Sequence, residues 1–124
     1  MSIALHLPAK PEYAALARTL AATIAARCEL SYDRVEDARL AIDEAFNQVV
    51  LNAPADAEIV CTFLEEVGAL EFMVQSRTLL ESGLPTNTFS WTVLSALADE
   101  LRATNVDGIL TVVARVQEQH NEAA

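Results

Sequence analysis

The chain has 124 residues, one domain's worth, and 52% hydrophobic against 21% charged residues rules out a disordered tail. Eight Lys and Arg face 18 Asp and Glu, a net charge of -10, and the eight cations are scattered along the sequence. Without a basic footprint to displace counterions, neither nucleic acid nor an acidic membrane surface is an expected partner.

Ser2 to Leu7 alternates, with Ile3, Leu5 and Leu7 on one face, and predicts a short strand ended by Pro8. Pro11 opens a helix that runs to Arg27, since the first helical turn has no use for the missing N–H. Its expected buried stripe is Tyr13, Leu16, Leu20, Ile24 and Cys28, with Arg18 off the stripe and free for solvent or a partner. Ser31 is a good cap for a second helix that runs to about Asn52. Asp33, Glu36 and Asp37 crowd its first turns, where the helix dipole favours anions. Val35, Ala38, Ile42, Ala45 and Val49 form its stripe, widened by Ala41, Phe46 and Val50.

Ala57–Leu64 and Leu70–Gln75 alternate as two strands of a hairpin around a Glu66-Val67-Gly68 turn. Arg77 to Thr88 has no period and reads as a loop. A third helix is expected over Phe89–Leu101, capped by Thr88 or Asn87. Asp107-Gly108 then joins a weak strand, Ala103–Val106, to a firm one, Ile109–Val116. The tail from Gln117 is polar and expected to fray, with residues 1–118 as the domain and 119–124 as the tail. The order β-α-α-β-β-α-β-β predicts an α+β two-layer sandwich: a mixed or antiparallel sheet of about five strands with three helices on one face.

No apolar run approaches the roughly 20 residues of a membrane span, and the first residues lack the basic start and apolar stretch of a signal peptide. The expected location is the cytoplasm. Cys28 and Cys61 lie far apart in sequence and read as reduced structural thiols.

The most informative stretch is Asp37 to Asn52. Glu44, Gln48 and Asn52 follow one another at one-turn spacing, so they share a side of the helix. On spacing alone such a stripe is a solvated face or a functional one.

Four segments carry a resemblance: Pro8-Ala-Lys-Pro-Glu-Tyr13, Leu16-Ala-Arg-Thr19, Tyr32-Asp-Arg-Val-Glu-Asp37 and Leu40-Ala-Ile-Asp-Glu-Ala45. They resemble the anti-sigma-factor serine kinases of the RsbW and SpoIIAB type, within the histidine-kinase-like (GHKL) ATPase superfamily. The resemblance covers about residues 2–116. The run Phe89 to Leu101 resembles a shortened actinobacterial branch of the stress-response, sigma-F and sigma-B kind.

The resemblance implies ATP and Mg²⁺ as cofactors in the active members, and a set of residues that use them. Glu44 matches the glutamate that acts as base. The metal-holding asparagine falls on Gln48, and Asn52 counts with it among the degenerate positions. The adenine-binding aspartate falls on Ser76, with Arg77 and Thr78 where the family has an acid and a glycine. The second glycine motif falls on Thr88-Phe89-Ser90-Trp91. These departures imply that nucleotide binding and phosphotransfer are lost, with Phe89 and Trp91 filling the pocket.

What the resemblance leaves is a binding surface. Arg18 and Glu44 are its expected partner-binding residues. The acids Asp37, Asp43, Glu44, Asp99 and Glu100 would offer counter-charge to a basic segment of a sigma factor. A STAS-domain antagonist and a homodimer are the other implied partners. The alternatives are an active serine kinase that phosphorylates the antagonist, and a scaffolding domain with no sigma partner.

Overall fold

The computed structural model describes residues 2–118. In chain order the elements are β1 (Ser2–Pro8), a single 3-10 turn (Pro11–Tyr13), α1 (Ala14–Arg27), α2 (Tyr32–Leu51), β2 (Glu58–Glu66), β3 (Ala69–Arg77), α3 (Phe89–Leu97), β4 (Glu100–Val106) and β5 (Ile109–Gln117). The five strands form one sheet in the order β1-β2-β3-β5-β4, antiparallel throughout. The α+β sandwich with three helices is therefore present, and the mixed-sheet option is not.

Register follows from the period of two. Phe63 lies opposite Phe72, Phe72 opposite Ala114, and Ala114 opposite Leu101. Cys61, Val74, Val112 and Ala103 form the next row on the same face. Phe46 and Ile42 of α2, Ile24 of α1 and Leu94 of α3 are buried with these rows in one core.

Both hairpin turns need left-handed backbone. Gly68 (φ 80°) closes a two-residue link between Glu66 and Ala69, so Glu66 belongs to β2 rather than to the turn. Asp107 (φ 53°) and Gly108 (φ 77°) make the expected β4–β5 hairpin turn.

Three expectations are corrected. The first concerns α1, which buries Ala14, Ala17, Ala21, Ile24 and Ala25, while Leu16 is 53% exposed. Tyr13 and Leu20 sit at the margin of the core. The reason is close helix contact: α2 presents Ala38, Ala41 and Ala45 to the core, and small side chains on both helices let them approach. The larger leucine is then turned outward.

The second concerns α3, which ends at Leu97 rather than at Leu101. Ala98 is extended (φ -103°, ψ 145°), and β4 already begins at Glu100. Pairing decides this. The Asp99 amide donates to the Arg115 carbonyl at 2.8 Å, and Leu101 and Ala103 enter the sheet rows named above. Ladder bonds plus burial of two alternating apolar residues outweigh one more helical turn.

The third concerns the chain end. Gln117 closes β5 opposite Ala69, and the Glu118 carboxylate accepts the Ser31 amide at 2.7 Å. The expected fraying at 119–124 lies outside the described residues.

Candidate functional site

The long helix α2 sets the geometry of the site. Ser31 caps it by accepting the Arg34 amide. At its other end the Asn52 side-chain amide donates to the Gln48 carbonyl at 2.9 Å. Between them Glu44 lies on the side facing α3, where its carboxylate accepts the Ser90 hydroxyl at 2.5 Å. Thr88 caps α3 by accepting the Trp91 amide at 3.1 Å, which fixes Ser90 in the first turn.

Around the C-terminal end of α2, the side chains of Asn52, Ser76 and Thr78 donate to backbone carbonyls. The Asn52 carbonyl accepts the Leu79 amide at 2.7 Å and the Thr78 hydroxyl at 3.1 Å. Ser76 is buried, and its hydroxyl donates to the Arg77 carbonyl at 3.0 Å. The Asn105 side-chain amide donates to the Leu80 and Ser82 carbonyls, which ties the β3–α3 connection down. Leu84 is buried there, and Leu80 packs against the core. Ser76 thus presents a buried hydroxyl, not a carboxylate, at the position that the resemblance gives to the adenine-binding aspartate. The described residues hold no group of three or more His, Cys, Asp or Glu suited to a metal ion.

Trp91 packs against the core as expected, but Phe89 is 83% exposed and fills nothing. Ser90 takes the inward direction at the first turn of α3, so Phe89, one residue earlier, is rotated by about 100° and points out.

The expected acidic face is largely neutralised inside the molecule. Arg18 is bonded to Asp43 at 2.7 Å, so it is not free. Asp37 and Asp99 both accept from Arg34. Glu100 lies 3.6 Å from Arg115. Arg39 beside Glu36 holds that carboxyl below the usual carboxylate range. Glu44 is the exception in this group: its recorded bond is to a neutral hydroxyl.

Burial pushes the Cys61 thiol up to about 12 and also raises Cys28. Both are free and buried, which keeps them protonated and fits the structural reading.

Comparison with known proteins places these features in context. No family model matches the chain. A 75-residue stretch is 40% identical to a Listeria monocytogenes protein named serine-protein kinase RsbW, covering 58% of this chain and 48% of that one. A Mycobacterium tuberculosis protein named anti-sigma-F factor RsbW is 31% identical over 103 residues, covering 82% of this chain and 60% of that one. The chain thus spans about half the length of the curated relatives it matches. A crystal structure of RsbU and RsbW domains from Mycobacterium tuberculosis superimposes over 98% of this chain and 33% of its own, with a TM-score of 0.75 at 17% identity.

The chain is RsbW-like in sequence and in fold.

Within this RsbW-like fold, sequence reading missed two residues that shape the site. Arg34 is buried, and its guanidinium joins the first turn of α2 to Asp37, Asp99 and the Gln117 carbonyl. The signal was an arginine three residues after the Ser31 cap, with Asp37 one turn on. Its other two partners, Asp99 and Gln117, are more than 60 residues away, and nothing local announces them. Asn105 reads as an ordinary turn-flanking residue. Its hold on residues 80 and 82 depends on β4 lying at the sheet edge.

Proposed function

We propose that this chain is an anti-sigma factor that holds a sigma factor by surface contact alone, without ATP-dependent phosphorylation. The observation that carries this reading is the buried Ser76, a hydroxyl bonded to the Arg77 carbonyl at the position that the resemblance gives to an adenine-binding carboxylate. A neutral hydroxyl replaces a charged acceptor there, and a hydrogen bond to a charged group contributes about 1.5–3 kcal/mol against about 1 for a neutral one. The names and fold of the relatives support the sigma-factor half of the reading. Glu44 is kept in place, but it holds Ser90 of its own chain.

Release in this reading comes from a STAS-type antagonist competing for the same surface. A homodimer belongs to the reading as well. The β1 edge supports it: Ser2–Pro8 carries no Lys, Asp or Glu, whereas the opposite edge strand carries Glu100 and Arg102.

The test is capture of purified sigma factors from the source genome, with and without Mg-ATP. Equal capture in both conditions is expected. No capture of any sigma factor overturns the anti-sigma reading. Capture that changes with Mg-ATP, or phosphate transfer to a STAS protein, overturns the nucleotide-free half and favours a kinase.

A further inference from the structure

Nine large hydrophobic residues are exposed among those described, and four of them, Leu40, Leu51, Leu79 and Phe89, belong to one region. Leu40, Glu44, Asn47 and Leu51 follow one another along α2 at steps of four, three and four, so they share one side, the side on which Glu44 meets Ser90 of α3. Leu79 is bonded to the Asn52 carbonyl, just beyond Leu51. Phe89 directly precedes Ser90, which is bonded to Glu44. Leu51 is 74% and Phe89 is 83% exposed, values that a monomer gains nothing from.

Charge decides the kind of occupant. The nearby cations are taken, Arg18 by Asp43 and Arg39 by Glu36. Among the described residues no cation lies within ion-pair distance of Glu44, which stands with Asn47 between Leu40 and Leu51. The chain as a whole carries a net charge of -10, which favours a basic partner. An acid without a counter-ion, set among leucines and a phenylalanine, is complementary to a helix that carries a basic residue inside its apolar stripe.

We propose that the exposed leucines on this side of α2, together with Phe89 of α3, form the docking face for a basic amphipathic helix of a partner protein. Phe89 and Leu51 are the apolar anchors, and Glu44 pairs with the partner's cation. This deepens the anti-sigma reading by naming the surface. It rests on that reading for the partner's identity and on the surface alone for its chemistry.

The probe is a fluorescein-labelled synthetic helix of leucine and lysine with one arginine in its apolar stripe, read by fluorescence polarisation. The comparison set is the native chain, the Phe89→Ser/Leu51→Ser double variant, Glu44→Gln, and Leu16→Ser as an exposed leucine on a different helix. The double variant is expected to bind about tenfold more weakly at unchanged melting temperature. Glu44→Gln is expected to weaken binding several-fold and flatten its salt dependence. Leu16→Ser is expected to stay within about twofold of the native chain. If the double variant fails to fold, the single Phe89→Ser change replaces it.

Unchanged binding by the double variant, equal loss in Leu16→Ser, or no saturable binding of the probe overturns the proposal. So does a native dimer that the double variant abolishes, because the face would then be covered by a second copy. A sigma factor still captured by the double variant overturns this proposal and leaves the anti-sigma reading standing. No sigma capture by the native chain, with probe binding that depends on Phe89, does the reverse.

Discussion

The guanidinium of Arg34 reaches from the first turn of α2 to the carboxylate of Asp99, at the entry to β4. The same Asp99 oxygen accepts the Gln117 amide at 2.9 Å, and Arg34 Nε donates to the Gln117 carbonyl at 2.9 Å. One ion pair therefore ties the start of α2, the α3–β4 junction and the end of β5. Its side chains are 10% and 24% exposed, so solvent screens it weakly.

Replacing Arg34 with alanine leaves two carboxylates near one another and a carbonyl without its donor. The expected loss is about 3 kcal/mol of unfolding free energy, measured by urea titration. Arg34→Lys is expected to recover less than half, because an ammonium cannot reach three acceptors in the geometry of the planar fork. A change below about 0.5 kcal/mol would mean that the node contributes no net stability.

Arg18 and Asp43 form a pair that is 34% and 28% exposed. Pairs of this kind contribute about 0–1 kcal/mol. Arg18→Ala is therefore expected to lower the melting temperature only slightly while weakening sigma-factor capture. Asp43→Asn, which frees the guanidinium, is expected to leave capture intact or improve it. Equal loss of capture in both variants would assign Arg18 a structural role.

Gln48→Asn restores the side chain that the family resemblance assigns to the metal position. Nothing else at that end changes, and Asn52, Ser76, Leu80 and Leu84 keep their internal partners. Titration with a fluorescent ATP analogue and Mg²⁺ is expected to show no saturable binding by either the native chain or the variant. Saturable binding by the variant alone would show that one methylene had been the barrier.

The cysteines give a pH test. Cys61 is fully buried, and its folded value of about 12 lies above the ordinary 9.0. Folding then favours the neutral thiol. Stability is unaffected below pH 9 and falls as pH rises from 9 toward 12, at up to about 1.4 kcal/mol per pH unit. The alkaline loss is expected to shrink in Cys61→Ala. At pH 8, iodoacetamide is expected to spare Cys61 until the chain unfolds. Cys28 is 2% exposed and lines a cleft of about 170 Å³ with Arg27, Glu65, Glu66 and Val67, so it is expected to react slowly but before Cys61. Rapid alkylation of Cys61 in the folded state would contradict this assignment.

The sequence by itself determined the element order, the strand faces and the α2 stripe. These rest on local periodicity and turn chemistry, which act within a few residues. Ser31 as a cap, Asp107-Gly108 as a hairpin turn and the alternation of Ile59, Cys61 and Phe63 were legible for that reason. The candidate positions Glu44, Gln48, Asn52, Ser76 and Arg18 were legible too, through resemblance. What each of those side chains holds was decided by tertiary structure alone. Glu44 meets Ser90, Arg18 meets Asp43, and Asn52 meets the β3–α3 connection across separations of 46, 25 and 26 residues. The end of α3 was decided in the same way, since the residues after it have helical propensity but find a sheet partner in β5. Local preferences amount to tenths of a kcal/mol per residue, while a completed ladder and a buried side chain contribute about one or more each. Where the two disagree, long-range pairing wins, and only the folded chain shows which pairs form.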